Sequence, residues 1–174
     1  VADMMEGENA KLPPEFLNGT ATLEQIKTWI AAENSYLPGQ PTWELEEQDL
    51  DLDGVYDLLI SDTRLGGSGG NPYIAFIRTP AGYRCIGCFL GSIRTLPLEA
   101  GHLPRLVTSS AMGSSTSEIQ LLELRPHGLY LLASAELAAG DGGTEEGNRD
   151  WNELFESKTV STETLRKIFG QGTL

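Results

Sequence analysis

The chain has 174 residues, 40% of them apolar, and 25 acidic against 12 basic residues give it a formal net charge of −13 at pH 7. That length and apolar share suffice for one ordinary domain with a real core, and no apolar run approaches the roughly 18 residues of a membrane span. The charge repels phosphate backbones and anionic headgroups, so nucleic acid and membrane-surface partners are disfavoured, while cations and basic proteins are attracted.

Residues 1–20 are polar and Pro-containing and read as a flexible arm ahead of a single domain over 21–174. In the stretch TLEQIKTWIAAEN, Thr22 with Gln25 forms a capping-box pattern, and Leu23, Ile26, Trp29 and Ile30 make one apolar stripe at helical spacing. Pro38 and Gly39 end that helix. From Thr42 to Ser134 the chain turns to short β-type runs: TWELEE, DLLISD, PYIAFIR, GYRCIGCFL, PRLVTS, SEIQLLEL and GLYLLAS. Thr79-Pro-Ala-Gly82 and Arg125-Pro-His-Gly128 each set Pro at the second turn position and Gly at the fourth, so the strands they join should be antiparallel neighbours.

The acidic, Gly-rich AAGDGGTEEGN leads into DWNELFES, where Asp150 and Glu153 resemble another capping box. Ser161 then reads as the N-cap of a last helix, Val160 and Leu165 as its hydrophobic staple, and Gly170 as its stop. The expected fold class is α+β: an antiparallel β-meander of about six to seven strands, an N-terminal helix and one or two C-terminal helices. The tryptophans Trp29, Trp43 and Trp151 fall on expected core faces.

Cys85 and Cys88 are the only cysteines. On a strand they face opposite sides about 10 Å apart, whereas a disulfide needs Cα atoms within about 7 Å. Two unpaired thiols are expected, with a bridge across a local turn or a metal as the alternatives.

The stretch DLDLDGVYDLLI gathers four carboxylates into nine residues. With Asp49 as position 1, Asp51 is 3, Asp53 is 5, Gly54 is 6 and Asp57 is 9, and the Val55 carbonyl is available at 7. Alternate carboxylates on a loop that bends at a glycine converge on one point, as oxygen-rich calcium loops do. The competing reading is an amphipathic strand with a wet Asp face and buried Leu50 and Leu52, but Gly54 interrupts it and Asp is a poor strand residue. Carboxylates 4 to 5 Å apart repel by about 3–4 kcal/mol per pair at an effective dielectric near 20, and a divalent ion reverses that sign. Calcium fits better than magnesium because the loop supplies so many protein oxygens. An EF-hand is excluded, since position 12 is Ile60 rather than a bidentate Glu.

These twelve residues resemble the FG-GAP or VCBS-type loop of integrin-like propellers. In that family the carboxylates at 1, 3, 5 and 9 and the carbonyl at 7 hold calcium, which implies Asp49, Asp51, Asp53, Asp57 and Val55 as the metal ligands here. A propeller repeats the loop and this chain has one copy, so the propeller itself is not implied. The longer stretch DLLISDTRLGGSGGNPYIAFIRTPAGYRCIGCFLG resembles bacterial secreted or lipoprotein-type domains with a single such loop, which implies an extracytoplasmic setting rich in calcium.

Gly66-Gly-Ser-Gly-Gly70 formally matches the GxSxG nucleophile elbow, but the residues after it read as a strand rather than a helix, and nothing marks His102 or His127 as a base for Ser68. The function expected is a non-enzymatic, calcium-stabilised binding domain of the bacterial envelope, of inhibitor or immunity type, that covers a basic protein. Glu145, Glu146 and Asp150 are the expected rim of that partner site. The alternatives are a hydrolase using the Gly-rich loop or the metal, and a structural or adhesion domain with purely structural calcium.

Overall fold

The computed structural model describes residues 12–96 and 103–172. Their contacts gather into two compact units, where the sequence reading expected one domain over 21–174. Among the described residues, one unit holds those up to Gly67 together with Asn71–Phe89, and the other holds Ser68–Gly70 together with those from Leu90 on.

The first unit contains helices α1 (Pro14–Asn18) and α2 (Leu23–Glu33) and strands β1 (Trp43–Gln48), β2 (Asp57–Asp62), β3 (Pro72–Thr79) and β4 (Gly82–Leu90), in the sheet order β1-β2-β3-β4. Residues 1–11 of the expected arm lie outside the described residues, and the rest of it is not loose. Pro14 opens α1 at a position where its missing N–H costs nothing, Gly19 closes it in the left-handed conformation, and Phe16 is buried edge-on against Trp29 and Phe76. The capping box of α2 forms as spaced: Thr22 Oγ1 accepts from the Gln25 N–H, and Gln25 Oε1 accepts from the Thr22 N–H. Ile26 and Ile30 then point from α2 into a cluster with Leu58, Ile60 and Phe76.

All six residues of β2 are buried, including three polar ones. Asp62 is compensated by Arg64, whose Nε donates to both carboxylate oxygens at 3.0 Å and whose Nη1 donates to the carbonyls of Leu37 and Gly39. Hydrogen bonds from the Arg64 side chain hold the Asp62 carboxyl below the usual carboxylate range, against the opposing effect of burial. A depressed native value contributes stability that is complete above the unfolded carboxyl's pKa of about 3.9 and is lost as the pH falls through the native value. Between about pH 5 and about pH 3, chemical unfolding should show the wild type losing more stability than Asp62→Asn. Parallel losses would mean that the Arg64 fork leaves Asp62 no more acidic than in the unfolded chain.

The second unit contains β5 (Ser92–Leu96), β6 (Arg105–Ala111), β7 (Ser117–Arg125) and β8 (Gly128–Leu137) in that order, then helices α3 (Glu145–Glu156) and α4 (Thr162–Phe169). Every pairing in this sheet is antiparallel, β7 and β8 close on the tight turn Pro126–His127, and the register shifts by one residue at Leu121/Leu122. Val107, Ile119, Leu121 and Leu137 of the sheet form a core with Leu154 of α3 and Leu165 of α4. Trp151 donates its indole N–H to Ser109 Oγ at 2.8 Å. The open carbonyls at the end of α3 are met by Arg94, which donates from Nη1 to Leu154 O at 2.8 Å and from Nη2 to Ser157 O. Glu153 ties the helices together, accepting from the Ser161 N–H and the Thr164 hydroxyl.

The class is therefore α+β, but with eight strands in two four-stranded antiparallel sheets and four helices among the described residues, not one meander of six or seven strands. The missing strand is β5. Its sequence SIRTL is short and does not keep a strict apolar–polar alternation, and Gly91 (φ +80°) stands between it and the stronger run of β4.

Candidate metal centre

The loop from Asp49 to Tyr56 closes the β1–β2 hairpin, whose last pair is Gln48 opposite Asp57. Asp57 is 1% exposed and begins β2. Its Oδ2 accepts from the Leu50 N–H and its Oδ1 from the Arg78 N–H, both at 2.8 Å, so one buried carboxylate joins the loop to the end of β3. Asp49 accepts from the N–H groups of Asp53 and Gly54, Asp51 accepts from Asp53, and Asp53 Oδ1 accepts from Val55 at 2.7 Å. Gly54 (φ +88°) and Leu52 (φ +62°) supply the left-handed steps that turn the chain back on itself.

One carboxylate oxygen from each of Asp49, Asp51 and Asp57 lies within 4.8 Å of the others. Asp53 stands outside that group, its carboxylate turned to the Val55 amide, and Val55 itself sits on the exposed side of the loop. Burial, reinforced by the charges of Asp51 and Asp53 and opposed by the Arg78 and Leu50 amides, pushes the Asp57 carboxyl up to about 6. Asp51 is raised too, by burial first and then by Asp53. Both shifts come first from burial and then from the neighbouring carboxylates, and a bound cation would oppose them. No family model matches the chain, and no curated protein or solved structure matches it. The FG-GAP-like reading rests on the residues of this loop alone.

The expected acidic rim is arranged differently. Thr144 caps α3 by accepting from the Gly147 N–H, so the helix starts well before Asp150, which becomes a mid-helix residue rather than a cap. Asp150 is 6% exposed, and its Oδ2 accepts from Lys167 Nζ of α4 at 2.7 Å. Glu146 meets the same ammonium at 2.6 Å, and that bond lowers its carboxyl's pKa. Asp150 is thus part of a clamp between α3 and α4, while Glu145 remains on the surface.

Ser68 is exposed on a turn that leads into β3, a strand, so the strand-to-helix elbow is not formed. A side chain at Gly70 would strike the Gly91 backbone, and one at Gly66 would strike Asn71 Oδ1, so close approach explains these two glycines. His127 is exposed in the β7–β8 turn, and His102 lies outside the described residues. Cys85 and Cys88 lie on β4 without a disulfide between them, and burial pushes the Cys85 thiol up to about 11, which makes it a poor nucleophile.

The sequence reading missed two features of this hairpin. The Arg78 amide that holds Asp57 lies 21 residues away and has no side-chain signature. Leu52, Val55 and Tyr56 are 52%, 45% and 66% exposed, and only the competing strand reading had spoken of Leu52, placing it as buried.

Proposed function

We propose that this chain is a calcium-stabilised, non-enzymatic protein-binding domain that works outside the cytoplasm, with the Asp49–Asp57 loop as its ion site and a basic protein as its partner. The observation that carries the reading is the convergence of Asp49, Asp51 and Asp57, one of them buried, within the span of a single ion's coordination shell. A rotation of the Asp53 side chain and the Val55 carbonyl would bring the protein residues around the ion to five, and a bidentate carboxylate or water would complete the roughly six to eight oxygens that calcium takes. An extracytoplasmic setting suits a modest site of this kind, because free calcium is abundant there. The strongly acidic balance of the whole chain supports a basic partner.

A second reading has its own support. The loop carboxylates already accept backbone N–H groups from Leu50, Asp53, Gly54, Val55 and Arg78, as an acidic turn that needs no ion would. Thermal melting separates the two. An ion that binds only the folded chain at about 100 times its Kd adds about 2.7 kcal/mol, which for a chain of this size raises the midpoint by about 5–10 °C. The expected result is such a rise between chelator and millimolar calcium, abolished by Asp51→Ala with Asp53→Ala. Identical melting in both conditions would leave the ion-free turn.

A further inference from the structure

We infer that the tip of the β1–β2 hairpin, formed by Leu52, Val55 and Tyr56, is the docking surface of this chain, and that it fits a basic protein segment with apolar side chains between its cations. The inference rests on the reading of the chain as a protein-binding domain, and it names the surface and the partner's chemistry.

Single exposed apolar residues are ordinary on a protein surface. Here every residue from Leu52 to Tyr56 is exposed, and three of the five are large and apolar, at 52%, 45% and 66% exposure. Nothing in the hairpin's own folding calls for them. Leu52 is the clearest case, because it holds φ +62°, a left-handed conformation that Gly, Asn or Asp adopts far more readily than leucine. A leucine there is strained and is also left in water, so folding gains little from the choice. Strain combined with exposure is the pattern of a residue kept for a contact outside the fold.

The charge around the tip selects the partner. Between Thr28 and Thr63 the sequence holds nine acidic residues and neither Lys nor Arg. Glu46, Glu47 and Asp53 are exposed close to the apolar trio in the chain. One divalent ion in the loop would leave this half of the first unit acidic. An apolar centre within a charged rim is the ordinary anatomy of a protein interface, and the negative rim speeds the approach of a positive surface. The same rim repels anionic headgroups, which makes a lipid surface the poorer occupant.

The test is selection of a displayed library of random short peptides against the immobilised full chain in millimolar calcium. The expected result is enrichment of peptides that combine Lys or Arg with apolar residues and bind less tightly as salt rises. Affinity for a selected peptide should fall about tenfold or more in Leu52→Asn with Tyr56→Ser. Asn tolerates the left-handed conformation, so this variant should melt no lower than the wild type, and lost binding is then not lost folding. Absence of enrichment, enrichment of acidic peptides, equal binding by the double variant, or binding of phosphatidylcholine vesicles that needs Tyr56 would each overturn the inference. The two readings fail separately. Peptides lost with Glu145→Gln and Glu146→Gln but not with the tip variant keep a binding domain and remove this surface, whereas tip-dependent peptides on a chain that melts identically with and without calcium keep the surface and remove the ion.

Discussion

Replacing Gly91 with alanine should lower the unfolding free energy by about 3–5 kcal/mol, the largest effect expected from any single glycine in the second unit. Two costs add. Gly91 holds φ +80°, where an L side chain meets its own backbone at about 1–2 kcal/mol. A Cβ there would also fall deep inside van der Waals contact with the carbonyl oxygen of Ser109, which is backbone and part of β6. Ser92, the next residue, pairs with Ser109, so relief requires β5 to pull away from β6 at the first rung of their ladder. Gly54 is the internal control. It holds φ +88° with nothing within 4 Å of an added Cβ, so Gly54→Ala should carry the conformational cost alone, about 1–2 kcal/mol. Urea midpoints at unchanged slope measure both. A Gly91→Ala variant no less stable than Gly54→Ala would mean that β5 yields freely.

The same glycine explains much of what the sequence reading could and could not reach. Helix starts that depend on residues three apart were legible: Thr22 with Gln25, and Ser161, whose hydroxyl accepts from the Thr164 N–H as a cap at that position should. In TEEGNRD the sequence reading took Asp150, with Glu153 three residues on, as the cap, whereas Thr144 caps the helix. Thr144 prevails alongside a contact across the turn, its N–H donating to the Ala138 carbonyl, and Asp150 is drawn instead to Lys167. Gly91 stands where an added Cβ would strike the Ser109 carbonyl, and that close approach of two backbones at the start of β5 leaves no periodic trace. In the loop, Asp49, Asp51 and Asp57 of the five residues expected as ligands bring their carboxylates together, while Asp53 turns to the Val55 amide. Alternation alone placed Leu50 and Leu52 on one face, yet Leu50 is fully buried and Leu52 is half exposed. The left-handed step at Leu52 breaks the period of two, and no residue type announced it.

Asp57→Ala should destabilise the chain by about 2–4 kcal/mol even in chelator, and this separates what Asp57 does for the fold from what it does for an ion. Its two oxygens take the N–H groups of Leu50 and Arg78, and Leu50 has no solvent exposure. Alanine removes both acceptors at once, and a buried donor left unpaired costs about 1–3 kcal/mol. The hairpin would lose its fastening to the end of β3 as well. Asp51→Ala makes the opposite case. Asp51 carries one of two bonds to the Asp53 amide and adds to the repulsion at Asp57, so its loss in chelator should cost less than about 0.5 kcal/mol or stabilise slightly. In calcium the order changes, because each variant removes a ligand and should lose the ion's added stability. Six urea titrations, of the wild type and the two variants in each of two conditions, give the comparison. A large deficit for Asp57→Ala that is equal in chelator and calcium, with no deficit for Asp51→Ala in either, would assign the whole cluster to backbone fastening. A small deficit for Asp57→Ala in chelator that becomes large in calcium would assign it to the ion.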